Sequence, residues 1–145
     1  MGQDFDDKGN MIHRKDNQGY EVWTDYDDKR NIIHWKDNHG YEIWREYDDK
    51  GNMIHRKDNQ GYETWFDDKG NTIHWKDNEG YEEWRDYDEK GNIIHWKDNE
   101  GYEKWFDENR NLIHVKDNQG KEKWFDADGN LIHGKDNHKN KSDNS

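Results

Sequence analysis

Seven histidines recur along the chain, each directly after an isoleucine: Ile12-His13, Ile33-His34, Ile54-His55, Ile73-His74, Ile94-His95, Ile113-His114 and Ile132-His133. Nine tryptophans accompany them, at Trp23, Trp35, Trp44, Trp65, Trp75, Trp84, Trp96, Trp105 and Trp124, and aspartates crowd into short Asp-x-x-Gly segments. Three kinds of chemistry could draw on such a set. Imidazoles and carboxylates ligate zinc. Aspartate-rich loops hold calcium. Rows of exposed indoles make apolar patches of a size that monomers seldom show, suited to glycans or protein partners.

Distance weighs against zinc. If each copy is a hairpin, equivalent histidines lie two strands apart, about 9.5 Å. Two ring nitrogens on one zinc lie within roughly 4 Å of each other. An acidic residue from the intervening strand would have to complete the site, and a histidine ladder beside tryptophan explains the pattern without a metal. Calcium fares no better. The nearest match, Asp126-Ala127-Asp128-Gly129, lacks the first ligand position and the terminal bidentate glutamate, and other copies place lysine mid-turn. No Ser-His-Asp set stands apart from the repeat, no glycine-rich phosphate loop occurs, and no acidic pair is secluded. A catalytic residue would break the repeat, so the expectation is a non-enzyme without cofactor. The nine indoles remain the candidate ligand-stacking residues, for a glycan or a protein.

The elements that position these residues follow from the repeat. Aligned on an aromatic followed by Asp, the copies start at Phe5, Tyr26, Tyr47, Phe66, Tyr87, Phe106 and Phe125, with spacings of 21, 21, 19, 21, 19 and 19 residues. A fixed period near 20 residues indicates a repeat architecture. Each copy carries two turns of the form Asp-x-x-Gly, except that the seventh loses the glycine of its second at Asp136-Asn137-His138-Lys139. The aspartate caps the turn and the glycine supplies positive φ. Arg30 and Arg110 stand where glycine is expected, at a cost of roughly 1 kcal/mol each.

Between turns lie short segments such as Asn52–Lys57 and Tyr62–Phe66, rich in Ile, Trp, Tyr and Phe, too short for helices and typical of strands. The expectation is all-β: tandem antiparallel hairpins in a single-layer or spiralled, solenoid-like sheet of about fourteen strands. The 21- and 19-residue copies differ by two residues, which keeps every side chain on its face. The odd repeat length then requires one even-length loop or one bulge per copy, and the sequence does not say which turn carries it. Strict alternation places Met53, His55 and Lys57 on one face and Ile54, Arg56 and Asp58 on the other. In the second strand type Tyr41, Ile43, Arg45 and Tyr47 oppose Glu42, Trp44 and Glu46.

Residues 1–4 read as a lead-in without a signal-peptide pattern, 5–137 as seven repeats, and 138–145 as a disordered polar tail. Ile, Leu, Val and Phe total 18 of 145 residues and the net charge is −12, a composition close to that of disordered chains. The 14% aromatic content and the regular turns oppose that reading. Burial must come from hairpins packing on their neighbours. The acidic balance argues against nucleic acid as a partner. No apolar run is long enough to span a membrane, and without cysteine there are no disulfides. Open edge strands would allow self-association. Nine histidines would bring the charge to about −3 near pH 5, where association should rise and light scattering would detect it.

The pieces Tyr-Asp-x-x-Gly-Asn-x-Ile and Asp-x-x-Gly resemble the YD repeats of bacterial Rhs, wall-associated and insecticidal toxin-complex proteins and of animal teneurins. The resemblance covers residues 5–133. It implies a hairpin strip of the kind that spirals into a hollow shell, often around a toxin segment, within a larger bacterial surface or secreted protein, hence an extracellular or cell-surface setting. The chain departs from that pattern in having only seven copies and in the regularity of its Ile-His and Glu-x-Trp. Three readings follow: a structural β-repeat module, a binding module using its aromatic rows, and a designed or consensus repeat with no natural task.

Overall fold

A computed structural model describes residues 2–135. The tail expected at 138–145 and the end of the 5–137 repeat span lie outside the described residues. The strands are β1 (Gly2–Phe5), β2 (Met11–Lys15), β3 (Glu21–Tyr26), β4 (Ile32–Asp37), β5 (Glu42–Tyr47), β6 (Met53–Asp58), β7 (Glu63–Phe66), β8 (Thr72–Lys76), β9 (Glu82–Tyr87), β10 (Ile93–Asp98), β11 (Glu103–Phe106), β12 (Leu112–Lys116), β13 (Glu122–Phe125) and β14 (Leu131–Lys135). They form one antiparallel sheet in which spatial order follows chain order. This is the expected all-β array of hairpins. No helix among the described residues is long and apolar enough to cross a membrane.

The turns form because aspartate supplies acceptors that the backbone lacks. In the turn after β5, Asp48 Oδ1 accepts from the backbone N–H of Lys50 at 2.9 Å and of Asn52 at 2.8 Å. The Gly51 N–H donates to the Asp48 carbonyl at 3.1 Å, with Gly51 at φ 86°. All eleven turn glycines share that left-handed backbone, and Arg30 and Arg110 adopt it at φ 68° and 67°.

The bulge sits at one of the two turn types. Hairpins closed by Asp-Asn-x-Gly pair without a shift, as in His34↔Trp44, Trp35↔Ile43 and Lys36↔Glu42. Hairpins closed by aromatic-Asp-x-x-Gly slip by one residue: Glu46 faces His55, yet Tyr47 faces Met53. Ile54 is therefore the extra residue. Ile12, Ile33, Ile94, Ile113 and Ile132 occupy the same place. The slip corrects the expectation from strict alternation, because residues paired across a ladder share a face. Met53 lies on the face of Arg56, Arg45 and Tyr47, not with His55 and Lys57.

Residues 2–4, expected as a lead-in, belong to β1, where Gly2, Gln3 and Asp4 pair with Lys15, Arg14 and His13. Gly2 and Gln3 carry no strand signal of their own; the pairing follows from Asp4-Phe5 matching Asp25-Tyr26 of the next copy.

The chain divides into two compact units, Met1–Thr72 with Lys76–Asn78, and Ile73–Trp75 with Glu79–Ser145. In the first, Val22 and Ile43 at 8% exposure and Thr24 at 9% are the most buried side chains. All three project from the face that carries Tyr26, Trp35 and Tyr47. In the second, β9 and β10 pair over five residues while β11–β13 are shorter strands.

Candidate functional site: the tryptophan–histidine face

Six of the nine candidate indoles lie beside the recurrent histidines, Trp23, Trp44 and Trp65 on the histidine face of the first unit and Trp84, Trp105 and Trp124 on that of the second. Trp35 and Trp96 pair with Thr24 and Arg85 on the other face. Trp75 meets Tyr81 edge-on at 5.8 Å, as Trp35 meets Tyr41 at 5.9 Å. All nine are half-buried.

Repeat length decides what covers each indole. His13 stacks on Trp23 with centroids 5.2 Å apart, and Lys36 from the next strand lies 5.7 Å from the Trp23 centroid. His34, Trp44 and Lys57 repeat the arrangement at 5.3 and 5.7 Å, as do His74, Trp84 and Lys97 at 4.8 and 5.5 Å. These are long copies. In a 19-residue copy the lost dipeptide brings tryptophan opposite the next histidine instead. His95, Trp105, His114 and Trp124 then form one stack, with successive spacings of 5.0, 4.1 and 4.4 Å, and His133 lies against Trp124 at 5.0 Å, tilted by 41°.

Carboxylates hold the imidazoles in place. His34 Nε2 lies 2.8 Å from Glu42 Oε1 and its Nδ1 lies 3.0 Å from Asp25 Oδ2. His95 is clamped the same way, 2.7 Å from Glu103 and 3.0 Å from Asp86. His13 sits between Asp4 at 2.8 Å and Glu21 at 3.0 Å. A neutral imidazole has one N–H, so Asp4 and Glu21 are both satisfied only by the protonated His13 ring. The Asp4 and Glu21 hydrogen bonds accordingly raise the His13 pKa above its ordinary value, and the His13 ring lowers that of Glu21. His55, His74 and His114 also place Nε2 on a glutamate eight residues ahead, at 2.7, 3.2 and 3.0 Å.

The histidines thus form the expected ladder beside tryptophan. Sequence reasoning did not find the Glu clamp. Its signal was the glutamate at a constant eight residues after six of the seven histidines. The Asn ladder was also missed. Asn38 accepts from the Glu21 N–H at 3.1 Å and donates to the Gly19 carbonyl at 2.7 Å, tying one turn to the preceding one. Asn59 and Asn99 do the same with Glu42 and Gly40, and with Glu82 and Gly80. Among the described residues no three acidic or imidazole groups converge as a metal site. The turn aspartates spend Oδ1 on backbone N–H groups. Those of Asn31 and Asn52 hold the Asp27 and Asp48 carboxyls below their usual range.

No protein-family model matches the chain, and no curated protein matches it. Among solved structures it is similar to the pore form of the Photorhabdus luminescens Tc holotoxin carrying a TccC3 substitution, at 15% identity over 94% of this chain, with TM-score 0.47. It is similar also to a TcdB2–TccC3 structure, at 14% identity over 94%, TM-score 0.47, and to a TcdB2–TccC3–Cdc42 structure, at 12% over 91%, TM-score 0.44. The chain spans 8–9% of the length of these proteins. At this level of likeness the fold rests on the strand pairing described above.

Proposed function

We propose that the chain is a non-catalytic structural module, a strip of β-hairpins that serves as wall material in a larger bacterial surface or secreted protein of the YD-repeat kind. One observation carries the reading: the chemistry-bearing side chains are spent between neighbouring strands. The six indoles of the histidine face stack on histidine, the imidazoles engage glutamate, and the turn aspartates cap backbone. Side chains used this way build stiffness. Glycan stacking on Trp23, Trp44 or Trp84 would have to displace His and Lys from the ring faces.

The test is the dependence of stability on copy number. In a stack held together by its neighbours, the melting midpoint rises steeply from three copies to seven and levels off. A midpoint independent of copy number would overturn the reading. So would a glycan array showing saturable binding that quenches tryptophan fluorescence.

A further inference from the structure

Arg45 on β5 and Arg56 on β6 face each other directly across the ladder, on the more buried face of the first unit. Thr64 on β7 stands opposite Arg56 in the same row. All three are half-buried. Like charges directly opposite are unfavourable, and partial burial weakens the screening that would relieve them. The Arg45 side chain makes no hydrogen bond or ion pair among the described residues. Arg56 donates once, at 3.2 Å to the Tyr41 hydroxyl, which in turn donates to Asp58 Oδ2 at 3.2 Å. Asp58 is thus hydrogen-bonded to Arg56 only through Tyr41, and its Oδ1 is committed to the turn, accepting from the backbone N–H groups of Gln60 and Tyr62.

The second unit contains the same arginine with its counter-ion. Arg85 holds the place of Arg45 and binds Glu83 Oε2 at 2.7 Å, with Trp96 opposite it. The place of Glu83 is taken in the first unit by Ile43, and that of Trp96 by Arg56. One copy thus carries its own carboxylate beside one guanidinium. The other has lost the carboxylate and gained a second guanidinium.

We propose that Arg45, Arg56 and Thr64 form a binding site for a tetrahedral oxyanion, the sulfate or phosphate monoester group of a larger ligand. An anion between two guanidiniums turns a repulsive pair into two charge-assisted, fork-shaped contacts, and the Thr64 hydroxyl offers a third donor. Neither the aromatic rows nor the structural reading above is needed for it. The site is a local basic spot on a chain of net charge −12, so binding weakens as ionic strength rises.

The test is a titration of the full chain with inorganic phosphate, inorganic sulfate, glucosamine 6-sulfate and acetate at constant ionic strength, followed through the Arg45 and Arg56 Nε–H resonances. Saturable shifts at both arginines with the tetrahedral anions, and not with acetate, are expected. Stronger binding of the sulfated sugar assigns the site to sulfated glycans; stronger binding of phosphate assigns it to phosphate monoesters. Arg56→Trp, which restores the residue of other copies, should weaken binding by at least about tenfold, as should Ile43→Glu, which supplies an internal carboxylate. If Ile43→Glu does not fold, Arg45→Thr, the residue of the first copy, takes its place. No saturable shift, equal binding of acetate, or unchanged affinity in Arg56→Trp and Arg45→Thr would overturn the proposal.

Discussion

Trp105 and His114 face each other across β11 and β12 with ring centroids 4.1 Å apart and planes 16° apart. Trp23, in a 21-residue copy, faces Lys36 at the same step. The difference is two residues of strand. Trp105 carries an imidazole on both ring faces, whereas Trp23 carries one imidazole and one ammonium. Aromatic pairs contribute about 0.5–1.5 kcal/mol beyond their buried area. The Lys36 contact on Trp23 contributes about 0.5–1 kcal/mol of its own, so Trp105→Leu should cost more than Trp23→Leu in urea denaturation by only about 0.5 kcal/mol. Equal losses would mean that the second imidazole adds no more than the ammonium.

Arg30 and Arg110 occupy left-handed backbone that favours glycine. Arg110→Gly should stabilise the fold by about 1 kcal/mol. Arg30→Gly should gain less, because the Arg30 guanidinium donates to the Lys8 carbonyl at 3.2 Å and that bond is lost. Calorimetric melting of both variants decides it. A lower midpoint for Arg110→Gly would contradict the turn energetics.

The folded-state pKa of His13 lies above its unfolded value, raised by Asp4 and then Glu21. Its contribution is therefore full below about 6.5 and is lost as pH rises through the folded value. The turn aspartates act in the opposite sense. Asp48 and Asp88, held low by the N–H groups of Asn52 and Asn92, stabilise above the ordinary carboxylate range and lose that effect as acid protonates them. The β1–β2 hairpin should thus loosen on going from pH 6 to pH 9, seen as lower amide protection factors across its ladder once the base-catalysed intrinsic rates are divided out, and Asp4→Asn should flatten that dependence. An unchanged profile in Asp4→Asn would remove the clamp from the account.

The hairpin order, the turn chemistry and the histidine ladder were legible because each is local. Asp-x-x-Gly fixes its own backbone, and a two-residue change in length preserves parity. The bulge was required by the odd period but not located, since Ile54 gives no sign of being unpaired until Glu46 and Tyr47 choose partners. The Arg45–Arg56 pair was hidden for the same reason. Ten residues lie between them, and only the register joins them. The nine indoles and the histidines beside them were found, but not the lysines over Trp23, Trp44 and Trp84, because cover comes from strands on both sides.

The isoleucine before each histidine is where register and packing separate. Ile33 is 36% exposed and stands between the pairs Tyr26↔Ile32 and Asp25↔His34. Its contribution is one residue of backbone more than one side chain of core. Ile33→Thr should therefore cost less than about 1 kcal/mol, within the range of exposed positions. Deleting Ile33 should do far more. Without the extra residue, Ile32 turns away from Tyr26 to the histidine face, because a one-residue slip exchanges the faces of all that precedes it up to the turn. The Asp27–Asn31 closure would then be carried at the wrong twist. Far-ultraviolet circular dichroism and urea midpoints of the two variants provide the check: a deletion as well tolerated as the threonine substitution would show that the bulge is not what keeps the copies in phase.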